Sequence, residues 1–168
     1  MKIKSIILIA IILLTASSFC ISQTDTTQTV GRHYFGINGG ATTGIGLTYR
    51  YMPAKWGFQA SYLPFYPTED FVSIASFSII KNFWSGKKAG FNLYEAQTVL
   101  IDVRLDSNTT DAAGSFGFGT MAEVNFGSNI VMTINGGFCV ITDLSGDFFG
   151  NTDWLIIPDF GIGFFYRI

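Results

Sequence analysis

Apolar and polar residues alternate along most of the chain, in runs that begin near His33 and continue to the C-terminus. In the run SFGFGTMAEVNF (115–126), Phe, Ala and Val fill most of the even positions, and Ser, Gly, Glu and Asn fill most of the odd ones. The final run, PDFGIGFFYRI (158–168), repeats the pattern. A period of two residues indicates a β-strand with one apolar and one polar face.

Eight such runs follow one another, and each is predicted to be a strand: residues 33–41, 43–52, 56–65, 71–84, 88–105, 113–126, 129–141 and 154–168. The connections read TT, PAK, YPTED, SGKK, DSNTTDAA, GSN and DLSGDFFGNT. They contain Pro, Gly, Asn, Asp, Ser or Thr, the residue types that favour turns. The pattern therefore predicts an all-β domain.

Two of the runs are less regular. The fourth has apolar residues on both parities, so its facing stays open. In the fifth, Glu95 and Gln97 share the parity of Val99 and Ile101. A β-bulge near Ala96 would reverse the facing of the residues before it. Alternatively, the regular part of this strand begins near Gln97.

The N-terminus has the layout of a secretory signal peptide. Lys2 and Lys4 precede a run of nine apolar residues (6–14), and small and polar residues follow. This run is well short of the roughly 20 residues that a transmembrane helix needs. We expect residues 1–22 to be a signal peptide cleaved near Gln23, and Cys20 after the bulky Phe19 does not suit lipoprotein processing. The expected organisation then continues with a flexible lead-in at 23–31 and a β-barrel domain at 32–168.

Composition excludes several classes of protein. The chain is 48% apolar and 16% aromatic but only 13% charged, about half the charge of an ordinary soluble domain. After residue 22 the chain has eight basic and twelve acidic residues, a net charge of −4 without a basic patch, so no nucleic-acid partner is expected. Cys139 is then the only cysteine, which excludes an internal disulfide and a cysteine-based metal site. We expect no cofactor and no metal.

The composition of the polar face decides which face points outward. In a soluble lipocalin-like carrier the polar face meets water and carries many Lys and Glu. Here it consists mainly of Gly, Ser, Thr and Asn, which suit the narrow interior of a small barrel. Eight membrane strands of ~9–11 residues fit the length, and an even count places both termini on the periplasmic side. The sequence predicts an eight-stranded antiparallel up-and-down transmembrane β-barrel, with the soluble carrier as the less favoured reading.

The signal peptide, the eight alternating runs and the last strand together resemble the small outer-membrane barrels of the OmpA and OmpX type. In that family the last strand alternates apolar residues up to the C-terminus and is read by the outer-membrane insertion machinery. The resemblance implies an insertion signal here, with isoleucine at the final position, which is usually aromatic: Phe160, Ile162, Phe164, Tyr166 and Ile168. It also implies location in the outer membrane, contact with its lipid and lipopolysaccharide, and a monomer.

Charged residues on the polar parity are expected inside the barrel. They form a predicted lumen network: Arg50, Lys81, Asp102, Arg104, Glu123, Asp159 and Arg167. Isolated charges in a narrow lumen are unfavourable and should pair. We favour a salt-bridged plug over a gated ion path, because an eight-stranded interior has little spare room.

Catalysis is not expected. His33 is the only histidine, and it begins the first strand at the predicted periplasmic end. Barrel enzymes that modify lipid A work at the outer leaflet, so a general base at this end would not reach such a substrate. The glycine-rich pieces NGGATTGIG and SFGFG lack the following helix that a phosphate-binding loop requires, and are read as strand glycines.

The connections predicted to face outward are acidic. With their flanking residues they contain Glu69, Asp70, Asp106, Asp111, Asp143, Asp147 and Asp153 and no Lys or Arg. They could bind a divalent cation, although solvated loops are the simpler interpretation because no ligand spacing is present. The best candidate for contact with a surface ligand is the last connection, through Asp143, Asp147, Phe148, Phe149 and Trp154. A structural, adhesion or interaction barrel is therefore the favoured function, and a narrow pore is the alternative.

Overall fold

A computed structural model of the protein describes residues 32–65, 70–104, 109–143 and 154–168, with side chains except at positions 70, 102–104 and 109–110. Within these ranges it contains eight strands: β1 Arg32–Gly40, β2 Gly44–Met52, β3 Trp56–Phe65, β4 Asp70–Ser85, β5 Ala89–Arg104, β6 Thr109–Phe126, β7 Ile130–Asp143 and β8 Trp154–Arg167. The same ranges include no helix that is long and apolar enough to cross a membrane.

The strands form one closed barrel in which each pairs antiparallel with the next along the chain. The ring closes where Tyr34–Gly40 of β1 pairs with Gly161–Arg167 of β8. This confirms the predicted all-β, eight-stranded up-and-down architecture. Closure pairs both edges of the sheet and so removes the exposed edges at which sheets aggregate.

The apolar residues of the alternating pattern lie on the outside of the barrel. Phe118 on β6 is 61% exposed and Phe160 on β8 is 74% exposed, whereas Asn135 and Thr133 on β7, the strand between them, are buried. Most of the buried side chains are polar, and the aromatic rings cover the outer wall. The arrangement is therefore inverted relative to a water-soluble barrel, whose apolar residues fill the inside.

Pairing with the neighbouring strands shows which way the residues of the two irregular strands face. In β4 the apolar residues of one parity point inward, because Ile80 packs with Tyr94, Ala96 and Met121 in a small apolar cluster inside the barrel. The ladder between β4 and β5 is continuous past Ala96, so no bulge lies there. The irregularity is instead at the other end of β4, between Asn82 and Trp84.

The strands differ in length, and this shapes the outer rim. β1 and β2 have nine residues each and β3 has ten, whereas the other five have fourteen to eighteen. The part of β8 before Gly161 therefore extends beyond the end of the β1–β2 hairpin. The three-residue turn of this hairpin, Ala41–Thr43, lies at the low side of the rim.

Candidate functional site

An ion pair crosses the lower part of the lumen. Arg50 on β2 is fully buried, and its Nη1 donates a 2.5 Å hydrogen bond to Oε1 of Glu123 on β6. These strands are four apart in a ring of eight, so the two side chains reach across the barrel from opposite walls. Gln59 Oε1 accepts two further bonds from the guanidinium, at 2.9 Å from Nε and 2.7 Å from Nη2.

Apolar side chains fill the space around this guanidinium. Its central carbon lies 4.4 Å from the ring centre of Phe165 and 5.8 Å from that of Tyr34. The sulfur of Met121 lies 3.2 Å from Nη2. A planar cation stacked on aromatic rings and bonded to a carboxylate has both its charge and its donors satisfied. The layer is therefore packed as a closed cross-section.

A second layer closes the lumen nearer the outer end. The Ala41–Thr43 turn folds inward, and Thr42 and Thr43 are completely buried. Asp159 on β8 holds the turn: its Oδ1 accepts hydrogen bonds from the backbone N–H groups of Ala41 at 3.0 Å and Thr42 at 3.3 Å, and its Oδ2 accepts from the Thr42 hydroxyl. The Tyr94 hydroxyl donates to the same Oδ2 from β5, at 2.7 Å.

The remaining polar groups of the turn are bonded from most of the wall. Thr98 on β5 donates to the Thr42 carbonyl at 2.6 Å. Around the Thr43 carbonyl, donors come from β1, β3 and β4, at 3.1–3.2 Å: Asn38 Nδ2, Gln59 Nε2, Ser61 Oγ and Ser76 Oγ. With Asn135 Nδ2 on β7, which lies 3.3 Å from the Thr43 hydroxyl oxygen, bonds from six strands fix the turn as a plug inside the barrel.

Gly44 allows the turn to fold inward. Its φ is +86°, a left-handed conformation that side chains rarely adopt. A Cβ at this position would also lie 2.9 Å from the Cβ of Ser61 and would collide with Ser76. Sequence analysis interpreted this glycine as a strand residue and did not find the plug. The signal that could have revealed it was a pair of threonines between glycines. So short a connection needs fewer polar residues than this one has.

The structure brings together three of the seven predicted lumen charges at the two closed layers: Arg50, Glu123 and Asp159. Arg167 lies at the lower rim, where it donates to the Ser128 carbonyl in the β6–β7 turn and to Asn125 near the end of β6. The side chains of Asp102 and Arg104 fall outside the described set.

Lys81 does not lie in the lumen. It pairs with Trp56 across β3 and β4, on the same outer face as Phe58 and Ile79. Its ammonium group is 4.9 Å from the ring centre of Trp56 and 5.3 Å from that of Phe83. The parity assigned to it from sequence failed because both parities of β4 carry apolar residues.

The other predicted sites are distributed over the outer wall and the rim. The five residues of the proposed insertion signal are all exposed, along β8 and at the C-terminus. Trp154 is 60% exposed at the start of β8, and Asp143 is buried at the end of β7. Asp147, Phe148 and Phe149 lie outside the described residues, as do most of the acidic positions of the connections.

The histidine and the cysteine of the described residues lie on opposite sides of the barrel wall. His33 is exposed on the outer face, with Nδ1 2.8 Å from the Tyr49 hydroxyl and its ring 4.6 Å from that of Tyr51. Cys139 is buried inside the barrel. Over the described ranges, no three His, Cys, Asp or Glu side chains are grouped so as to hold a metal ion.

These features define a class: a closed eight-stranded barrel with an apolar outer wall and a polar, plugged interior. No protein-family model and no curated protein matches the chain. Among solved structures it is similar to the N-terminal β-barrel domain of OprF from Pseudomonas aeruginosa, with a TM-score of 0.52 and 12% identity, over 84% of this chain and 100% of that one. The likeness shows the fold alone, that of a closed β-barrel domain.

Proposed function

We propose that the protein is an outer-membrane barrel with a closed lumen, and that its role is structural or adhesive and is carried by its outer connections. The observation that supports this most strongly is the combination of an apolar outer wall with two closed layers inside. The partners expected from this role are outer-membrane lipid, lipopolysaccharide, the insertion machinery and a surface ligand.

The outer wall favours a membrane over water. Soluble monomers rarely expose an apolar patch of more than a few hundred Å². Here exposed Phe, Ile, Leu and Trp side chains continue around the whole barrel, on every strand from β1 to β8. Bilayer hydrocarbon is the environment in which such a surface is stable, and aromatic residues at both ends suit the membrane interfaces.

The interior favours a structural or binding role over transport. The Arg50–Glu123 pair spans the lumen, and the Ala41–Thr43 turn blocks it a second time. Ions would have to break a buried pair and several hydrogen bonds to pass. Because the interior is closed, contact with other molecules is assigned to the outside, where Trp154 is exposed beside an acidic connection.

Planar-bilayer recording separates this proposal from the pore alternative. Detergent-folded protein, verified by heat-dependent migration on a gel, should give no steady single-channel current. Glu123→Ala and Asp159→Ala each loosen one layer, and combining them should give more open events than either alone. Reproducible ion-selective steps from the wild-type protein would show that the lumen conducts, and the transport role would then replace the one proposed.

The adhesive part of the role has its own test. Nanodiscs carrying the protein should bind immobilised lipopolysaccharide or attach to cells through the β7–β8 connection. A triple variant, Asp147→Asn with Phe148→Ser and Phe149→Ser, should lose this binding. A matched change in the opposite turn, Lys87→Ser with Lys88→Ser, should retain it. Equal loss in both variants would remove the assignment of contact to the outer connections.

A further inference from the structure

Two polar side chains stand on the apolar outer wall. Glu95 and Gln97 face outward on β5 because the ladder on both sides of this strand is continuous. Glu95 pairs with Ile79 on β4 and with Phe118 on β6. Along its own strand the next outward residue below it is Leu93, which is 40% exposed. The carboxylate therefore lies inside the apolar wall and not at its margin.

Within the part of the chain that the structure describes, the Glu95 carboxylate has no hydrogen-bond or ion-pair partner. The inference that follows rests on the membrane location proposed above. In a bilayer, an ionisable side chain at such a position is costly and is usually found against another protein surface or a polar group. The unpartnered carboxylate of Glu95, beside the outward-facing amide of Gln97, therefore indicates contact with a second molecule.

The same surface also carries a cation that has no ion-pair partner among the described residues. Lys81 pairs with Leu93 in the β4–β5 ladder, one outward position from the Ile79–Glu95 pair. Its ammonium group lies over the rings of Trp56 and Phe83 and does not reach Glu95 within the monomer. Among the described residues, this surface thus carries one positive and one negative charge on adjacent strands, and neither has a partner of opposite charge.

We propose that a second copy of this chain packs against this surface, the β4–β5 patch formed by Ile79, Lys81, Leu93, Glu95 and Gln97. Copies in one membrane have the same orientation, so a two-fold axis must run along the membrane normal. An axis beside β4 and β5 sets β4 of each copy against β5 of the other, and the long side chains of Lys81 and Glu95 span the one ladder step between their levels. One symmetry operation then forms two Lys81–Glu95 pairs, in which each of the four charges is paired once.

Self-complementarity selects a second copy over an unrelated partner. A patch with charges of one sign would require a partner with charges of the opposite sign. This patch carries one positive and one negative charge, so two copies of it can pair their charges with each other. Gln97 fits the same arrangement, because an amide is both donor and acceptor and can bond its own counterpart. The proposal replaces the monomer expected from the sequence, an expectation made before Glu95 and Lys81 were placed on one face.

Charge reversal in bilayers tests the dimer. The mature protein is folded into phosphatidylcholine vesicles at low density, and its subunit number is counted by single-molecule photobleaching. Wild type should be dimeric. Glu95→Lys or Lys81→Glu should raise the dimer dissociation constant by about tenfold or more, the effect of removing one member of a desolvated charge pair. Combining the two reversals should restore the dimer.

Two controls guard against a folding defect. Glu95→Gln removes the charge without adding one, so it should insert at least as well as wild type and still dimerise more weakly. Ile162→Lys places a new charge on the outer face of β8, on the opposite wall, and should leave the dimer unchanged in the folded fraction. Heat-dependent gel migration identifies that fraction for each variant.

The outcomes separate this proposal from the one on which it rests. Wild-type protein that inserts but stays monomeric overturns the dimer alone. A dimer that neither single reversal weakens, or that the double reversal fails to restore, overturns the β4–β5 patch as its interface. Protein that remains dissolved without detergent overturns the membrane location instead.

Discussion

Arg50 shows how one side chain can determine the state of the interior. Its guanidinium is fully buried, and Glu123 supplies its only ion pair among the described residues. Glu123→Ala should lower the free energy of unfolding by about 3–5 kcal/mol, because a buried charge is left without its partner. Urea unfolding in detergent micelles measures this loss.

An apolar replacement of the whole pair provides the control. Arg50→Met combined with Glu123→Leu removes both charges, and such exchanges of a buried pair are often neutral or stabilising. The double variant should therefore be more stable than Glu123→Ala. If it were less stable than the single variant, the destabilisation would reflect lost packing and not unpaired charge.

Phe118 tests whether the outer wall meets hydrocarbon. It lies near the middle of β6, 61% exposed, and Phe126 lies on the same face at the end of the strand, next to the β6–β7 turn, 53% exposed. In a bilayer, Phe118→Arg should cost about 2–4 kcal/mol and Phe126→Arg about 0–1 kcal/mol, since the cost of a charge falls with distance from the midplane. Folding yield and urea titration in vesicles give the comparison.

Equal effects at both positions would contradict a membrane around this face. The conservative change Phe118→Leu should be tolerated, which separates charge from loss of the ring. Gly119 offers no useful control on the lumen side, because an added Cβ would lie 2.7 Å from the Tyr94 hydroxyl.

Residue parity was predictable from sequence wherever one face of a strand is polar. Arg50, Glu123 and Asp159 were all assigned correctly to the inside, since a Thr, Asn or Gly stands beside each of them on the same parity. Lys81 was assigned wrongly, because β4 has apolar residues on both parities. Ile80, the next residue, packs into an internal cluster with Met121, and this turns Lys81 outward. In such a strand the facing is decided by which residues pair with it on the neighbouring strands. A local sequence pattern does not contain this information.

The strands as elements were more predictable than their connections. Their bounds agree with the alternating runs to within four residues. The inward fold of the Ala41–Thr43 turn was missed because its hydrogen bonds come from Asp159, Ser61 and Thr98, all distant in sequence. A turn whose polar groups are satisfied mainly by distant strands leaves little trace in its own residues.

The orientation of the elements is open to a labelling test. Short connections such as the one at Gly86 should face the periplasm, and the long one containing Gly146 should face outward. In a Cys139→Ser background, a membrane-impermeant thiol reagent applied to whole cells should label Gly146→Cys and spare Gly86→Cys. The reverse pattern would invert the barrel and place the acidic connections inside the cell envelope.

At the scale of the whole molecule, export and membrane location remain to be measured. Fractionated envelope protein should have a mass that begins at or near Gln23 and should require detergent for solution. The basis is the signal-peptide layout together with the apolar outer wall. A mass that retains residues 1–22, or recovery from the periplasm without detergent, would contradict this expectation.

The β1–β2 hairpin is attached to the barrel more weakly than any other pair of strands. It pairs with β3 only over Leu47–Tyr51 and with β8 only from Gly40 down, whereas β5 and β6 pair along almost their whole length. Regions with short ladders open first in local unfolding. The turn at the tip of this hairpin is also the plug, anchored to strands on the far side of the lumen. The plug thus acts as a latch across the weakest seams of the wall, so unlocking the interior and parting the sheet would be a single event.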